Sequence, residues 1–214
     1  MPNWVTNEIN APRQVLESMI NADGKIDFNR VIPFEGEFLN GVFGDAETCA
    51  EKVLDLPLDD HPLIRSLQMG NRARVKVQDL GDESFEQFVT LLRNHRKTGH
   101  MHSIDFGRSC WGTKWNACDQ DIALEDEQLR FDTAWNFPEP VLLKLSELHP
   151  DALLEIRYAD EDIGSNCGAL LIKGGQVIGR DEAGKWDEMA EADREKWKAF
   201  AVQVKRWEPE SDED

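Results

Sequence analysis

The sequence predicts an α+β domain: a mainly antiparallel sheet with helices on one face, a helical insertion, and a long C-terminal helix. Three patterns carry this prediction. Strand-like and helix-like segments alternate at both ends of the chain. Between residues 35 and 102 strand periodicity gives way to helical spacing. After Lys185, apolar residues recur on one helical stripe as far as Trp207.

The first unit is strand, helix, strand. WVTNEI places Trp4, Thr6 and Glu8 on one face and Val5, Asn7 and Ile9 on the other. Pro12 suits the first turn of a helix, RQVLESMIN, whose Val15, Leu16, Met19 and Ile20 form an apolar stripe. Asp23-Gly24 is a turn, and KIDFNRVIPF is expected to return as a strand ended by Pro33. Two short helices, around 45–55 and 60–69, follow a Gly-rich connection. A stronger helix starts at Asp82 or Ser84 and ends in HRKTG, with basic residues at its C-terminus and Gly99 as cap.

The second unit is clearer. IAL and LRFDTAW flank the acidic turn EDEQ as a hairpin, with Leu129, Phe131, Thr133 and Trp135 alternating onto one face. Pro138 and Pro140 introduce the helix PVLLKLSELH. LLEIRY alternates as a strand, and ALLIKGGQVIG is a hairpin with a Gly-Gly turn. The arrangement expected from these units is a split βαβ, or ferredoxin-like, core. It gives a single domain over residues 1–207, with the insertion at 35–102 and the C-terminal helix at 186–207. The acidic tail, 208–214, is expected to be disordered.

Charge narrows the choice of partners. Among 214 residues, acids outnumber bases 42 to 24, and the net charge is −18. Removing the tail EPESDED leaves −13, so the acidity belongs to the body. Such a field repels nucleic acid and anionic membrane and favours a protein partner with a basic or DNA-binding surface; solubility is the plainer account of it. No apolar run reaches the roughly 20 residues of a membrane span, and MPNWVTNEI lacks the features of a signal peptide. Cys49, Cys110, Cys118 and Cys167 form no tight pairs, so a cytoplasmic protein with reduced thiols is expected.

Five motifs occur in a telling order: MPNWVTN, IDFNRVIPF, CWGTKWNA, FDTAWNFPEPVLLKLSELHP and YADEDIGSNCG. As an ordered set they resemble the YubB-like ferredoxin-like family, proteins of unknown function of which many are carried by phages and plasmids. The resemblance covers residues 1–34 and about 103–180. It implies a ferredoxin-like core and a bacterial or phage setting. It implies no reaction and no catalytic residue.

Two candidate sites follow. The first is a cleft at WGTKW and TAW, where Trp111, Trp115 and Trp135 would form walls. Lys114 would meet an anion, and Thr113, Asn116 and Thr133 would orient it. The competing account makes the tryptophans core wedges and sends Lys114 to water. The second is an acidic surface: Asp119, Asp121, Glu125, Asp126, Glu127 and Asp132, joined by Asp160, Glu161 and Asp162. Projecting together, they would imitate a DNA backbone. Asp160–Asp162 with Gly164 and Asn166 lacks the spacing of a calcium loop. His95, His100, His102, Cys110 and Cys118 match no regular zinc pattern beyond His95 to His100. No phosphate loop or nucleophile–base pair stands out, so no metal, cofactor or catalytic residue is expected. The expectation is therefore a non-enzymatic, acidic interaction protein, with self-association through the Trp-rich final helix open. The alternative is a small-ligand or nucleotide-binding protein.

Overall fold

In the computed structural model, which describes residues 2–207, these residues divide into two compact units: residues 2–33 with 107–207, and residues 34–106. The tail 208–214 lies outside the described residues.

The first unit is built on a six-stranded sheet: β1 (Trp4–Asn10), β2 (Cys118–Ala123), β3 (Gln128–Ala134), β4 (Leu153–Asp160), β5 (Cys167–Lys173) and β6 (Gln176–Glu182). Their order is β2-β3-β1-β4-β5-β6, and every neighbouring pair is antiparallel. Strand β1 pairs on one side with β3 (Trp4 opposite Ala134) and on the other with β4 (Val5 opposite Asp160). Because both neighbours run against β1, β3 and β4 are parallel to each other. The helix α6 (Glu139–Leu148) joins them, so β3–α6–β4 is the split βαβ of a ferredoxin-like, α+β fold.

Alternation gives the sheet two unlike faces. Val5, Ile9, Leu129, Phe131, Leu154, Ile156, Leu170 and Ile172 point to one side and are almost fully buried. This side is closed by Val141, Leu142 and Leu145 of α6 and by Val15 and Leu16 of the short helix α1 (Arg13–Glu17). The segment KIDFNRVIPF belongs here, but not as the expected strand. Apart from an isolated bridge from Ile26 to Ile20, it forms a 3₁₀ turn at Phe28–Arg30. Asp27 caps that turn by accepting from the Asn29 N–H, and Phe28 inserts against Phe131 and Trp111, with ring centroids 5.6 and 5.7 Å away. A strand would have aimed Phe28 and Asp27 to opposite faces of a sheet that has no place for it.

The C-terminal helix α7 (Glu191–Lys205) is shorter than the expected 186–207, because Trp186–Glu188 forms a separate 3₁₀ turn and Met189 and Ala190 are extended; it packs elsewhere. Its Trp197, Ala201 and Val204 form a core with Ala159 and Cys167, which lie on the sheet face opposite α6. The same face carries a buried carboxylate, Glu8, with Arg130, Arg157 and Arg206 at 3.4–3.7 Å. Arg130 also donates to the carbonyls of Val204 and Lys205, tying the open end of α7 to the sheet.

The second unit is helical: α2 (Gly44–Val53), α3 (Pro62–Arg74), α4 (Asp82–Thr98) and α5 (Ser103–Phe106). Its core is Ala46, Cys49, Ala50, Phe88, Leu91 and Met101. As the sequence predicts, α4 ends on Gly99, whose φ of +82° is one that glycine adopts without a Cβ penalty.

Candidate functional site

The residues of WGTKW part company once placed. Trp111 ends a π-helical turn (Gly107–Trp111), is 4% exposed, and donates its indole N–H to the Ile32 carbonyl at 2.9 Å. Thr113 is buried and donates to the Ala134 carbonyl, anchoring the loop to the end of β3. Gly112, at φ +77°, is the pivot between them; a side chain there would run into Pro140. The Asn116 amide accepts from Phe28 N–H at 2.9 Å and donates to Asp27 at 2.7 Å, so it pins the 3₁₀ turn described above. Burial pushes the Asp27 carboxyl up, but hydrogen bonds from Asn29 and Asn116 outweigh it and hold the group below the usual carboxylate range. Thr133 is buried, donating to the Asn136 carbonyl at 2.8 Å and accepting from the Asn7 amide at 2.9 Å. For Trp111, Thr113, Asn116 and Thr133 the polar atoms are thus spent on the fold. The expected ligand role for these four therefore gives way to a structural one at the hydrogen bonds named.

Three of the expected residues face outward. The Trp115 ring is half-buried, 6.0 Å from that of Trp4, and the Lys114 ammonium sits 4.4 Å above it as a cation–π contact. Trp135 is 48% exposed, and its φ is +70°. A tryptophan in left-handed backbone is strained by about 1–2 kcal/mol. Hydrogen bonds hold it there from both sides. Its N–H donates to the Asn3 carbonyl at 2.9 Å, and its carbonyl accepts from the Asn166 amide at 3.2 Å. Asn166, itself at φ +42°, also donates to the buried Asp160 at 2.9 Å, and Asp160 accepts from Asn3 and from the Asp162 N–H. Asp160 is therefore the hub of a network that sets Trp135 beside the exposed Glu161 and Asp162. This hub was not legible in the sequence, where Asp160 is one acid of three.

The nine expected acids do not form one surface, although Asp132, Asp160 and Glu161 converge on the buried Lys205 ammonium. Glu125, Asp126 and Glu127 lie in the β2–β3 turn, and Glu125 pairs with Arg13. Glu161 and Asp162 lie at the opposite end of the strands, about 20 Å away at the rise of a seven-residue strand. Asp132 accepts from Thr6 at 2.7 Å, and Asp121 faces Arg206 at 3.6 Å. Asp119 is exposed on a bulge of the edge strand β2, at φ +42°.

The histidines and cysteines separate too. His102 is buried against Glu47, 3.1 Å away, and this hydrogen bond lowers the Glu47 pKa. Burial pushes the thiols of Cys110 and Cys118 up, and that of Cys167 to about 12, so all three are thiols at neutral pH. Among the described residues no three side chains come together as a metal site, and no helix is long and apolar enough to cross a membrane. A groove of about 390 Å³ does open on the α7 side of the sheet, over Ala169, Leu171 and Gly179, with Arg157 and Asp181 at its rim. Nothing in the sequence pattern marked it.

With the geometry in place, the chain can be set beside known proteins. Residues 110–201 match the family model of the ferredoxin-like domain in Api92-like protein. The match starts at the first residue of CWGTKW, ends within α7, and leaves out β1, although β1 lies in the middle of the sheet. The crystal structure of a protein api92 from Yersinia pseudotuberculosis is similar at 10% identity, over 86% of this chain and 99% of that one, with a TM-score of 0.36. No curated protein matches the chain. Over residues 110–201 the family match is thus to an Api92-like ferredoxin-like domain, where the sequence motifs suggested a YubB-like one.

Proposed function

We propose that the protein works by binding a protein partner that carries a basic surface, and that Trp135 is the anchor of the contact. The observation behind this is the strained, outward Trp135, held by Asn3 and Asn166 next to Glu161 and Asp162. Rigid, half-exposed tryptophans are characteristic hot spots of interfaces, and flanking acids steer a basic partner. The net charge of −18 extends the same attraction over the whole chain. In its most concrete form the partner is a DNA-binding host protein, and the function is counter-defence by DNA mimicry on behalf of a phage or plasmid. That form draws on the charge and on the YubB-like resemblance. The test is capture from bacterial lysate on the immobilised full chain. A basic protein released by high salt, displaced by duplex DNA and lost with Trp135→Ala supports the proposal; capture that Trp135→Ala leaves intact sinks it.

A second reading rests on the Trp4–Trp115 pair under Lys114. An aromatic wall with a cation suits a nucleotide or other anionic ring compound, held on an open surface rather than in a cleft. Quenching of tryptophan fluorescence by nucleotides, abolished by Lys114→Ala, would support it; unquenched fluorescence at millimolar nucleotide would remove it.

A further inference from the structure

The helix α3 buries none of its thirteen residues. Its neighbours α2 and α4 supply the core of the helical unit, whereas α3 is tethered by polar contacts: Gln68 accepts from the Asp59 N–H, and Arg72 donates to the Leu56 carbonyl. Leu63, Ile64 and Leu67 are meanwhile 66%, 44% and 62% exposed. A helix of this length is marginal in water, and its stability in proteins comes from covering an apolar face. Leu63, Leu67, Gly70 and Arg74 follow one another along a single stripe, at spacings of four, three and four. Gly70 weakens the helix, yet among the described residues nothing requires it: an added Cβ there would meet no atom within 4 Å. A glycine on an exposed apolar stripe makes sense when another backbone comes close.

The charges say whose. Asp59 and Asp60 precede α3, no acid lies within it, and Arg72, Arg74 and Lys76 crowd its C-terminal end; Arg65, in its first half, lies on the side away from the Leu63–Leu67 stripe. The element is therefore complementary to itself when reversed. We propose that α3 is a self-association helix, and that its occupant is α3 of a second copy, antiparallel, across a two-fold axis. Leu67 of each copy packs over Gly70 of the other. The Arg74–Lys76 end of each lies by the Asp59–Asp60 flank of its mate, and the two helix dipoles oppose. Thirteen residues make a helix of about 20 Å, so the interface falls at the small end of specific contacts and the dimer is concentration-dependent. This inference is independent of the Trp135 surface, which belongs to the other unit.

Sedimentation velocity of the full chain, over about 5–500 µM, tests it in the range expected of a small interface. The wild type shifts from monomer to dimer. Leu67→Glu, at an exposed site that leaves the circular dichroism unchanged, stays monomeric. Arg74→Asp weakens the dimer at least tenfold, and the double variant Asp60→Arg/Arg74→Asp regains it, because the swapped charges meet across the axis. A wild type that stays monomeric throughout overturns the proposal, as does a dimer that Leu67→Glu leaves intact. Binding of the monomer to phosphatidylglycerol vesicles, lost in Leu67→Glu, would overturn it in favour of a lipid surface.

Discussion

Trp111 and Trp135 sit at opposite poles of one design. Both belong to motifs flanking the β2–β3 hairpin, and both have polar neighbours within two positions. Trp111 turns inward, meets Phe28 edge-on, and gives its N–H to a backbone carbonyl of the first unit's N-terminal segment. Trp135 is turned outward by a backbone conformation that costs energy, and the molecule keeps it there with two hydrogen bonds to its own main chain. The difference shows that residue type does not assign a role here. What separates the two is where the neighbouring hydrogen bonds are spent.

Trp111→Ala is expected to cost about 3–5 kcal/mol, the usual range for a large buried aromatic, and to expose a broad loss of cooperativity in urea unfolding. An effect below about 1 kcal/mol would mean that the loop carries little of the core. Asn116→Ala comes next, at about 1–3 kcal/mol, because it strands the Phe28 N–H and one partner of Asp27. At Trp135 the expectation inverts. Trp135→Gly should be more stable than Trp135→Ala by about 1 kcal/mol, since only glycine is unstrained at this φ. Both variants should lose the proposed partner.

The smallest effect is one of pH. The Asp27 pKa is lowered by folding, so its contribution to stability is complete above the unfolded carboxyl value, about 3.9. It fades as pH falls through the still lower folded value. Acid unfolding followed by tryptophan fluorescence should therefore show a shoulder below pH 4 that shrinks in Asn116→Ala. An unchanged acid limb would detach Asn116 from the titration of Asp27.

Much of the fold was legible because it follows local periodicity. Strands β1, β3 and β4, the β5–β6 hairpin, and helices α4 and α6 lie where alternation or helical spacing puts them, as does α7 from Glu191 onward. KIDFNRVIPF failed for a long-range reason. Its alternation is strand-like, but the partner that fixes it as a turn is Asn116, 89 positions away. The candidate site was half legible. WGTKW and TAW mark the right end of the sheet, yet no spacing reveals that Thr113 and Asn116 bond to backbone or carboxylate rather than to a ligand. The left-handed Trp135 carries no glycine or asparagine as a warning; Asn166, its support, is distant in sequence. Asp160 looked like surface acid and is 4% exposed, because adjacent amides can satisfy a carboxylate that the sequence shows only as charge.

The central place of β1 bears on how the chain is made. Thr6 pairs with Asp132, 126 residues later, and the other side of β1 waits for β4. During synthesis this strand leaves the ribosome long before either neighbour, with apolar Val5 and Ile9 uncovered. The helical unit has a hydrophobic core drawn from residues 46–101 alone, so its folding need not wait for the sheet. Completion of the sheet is then a late, slow closure dominated by distant pairings, with β1 as the segment most in need of chaperone protection in the interval.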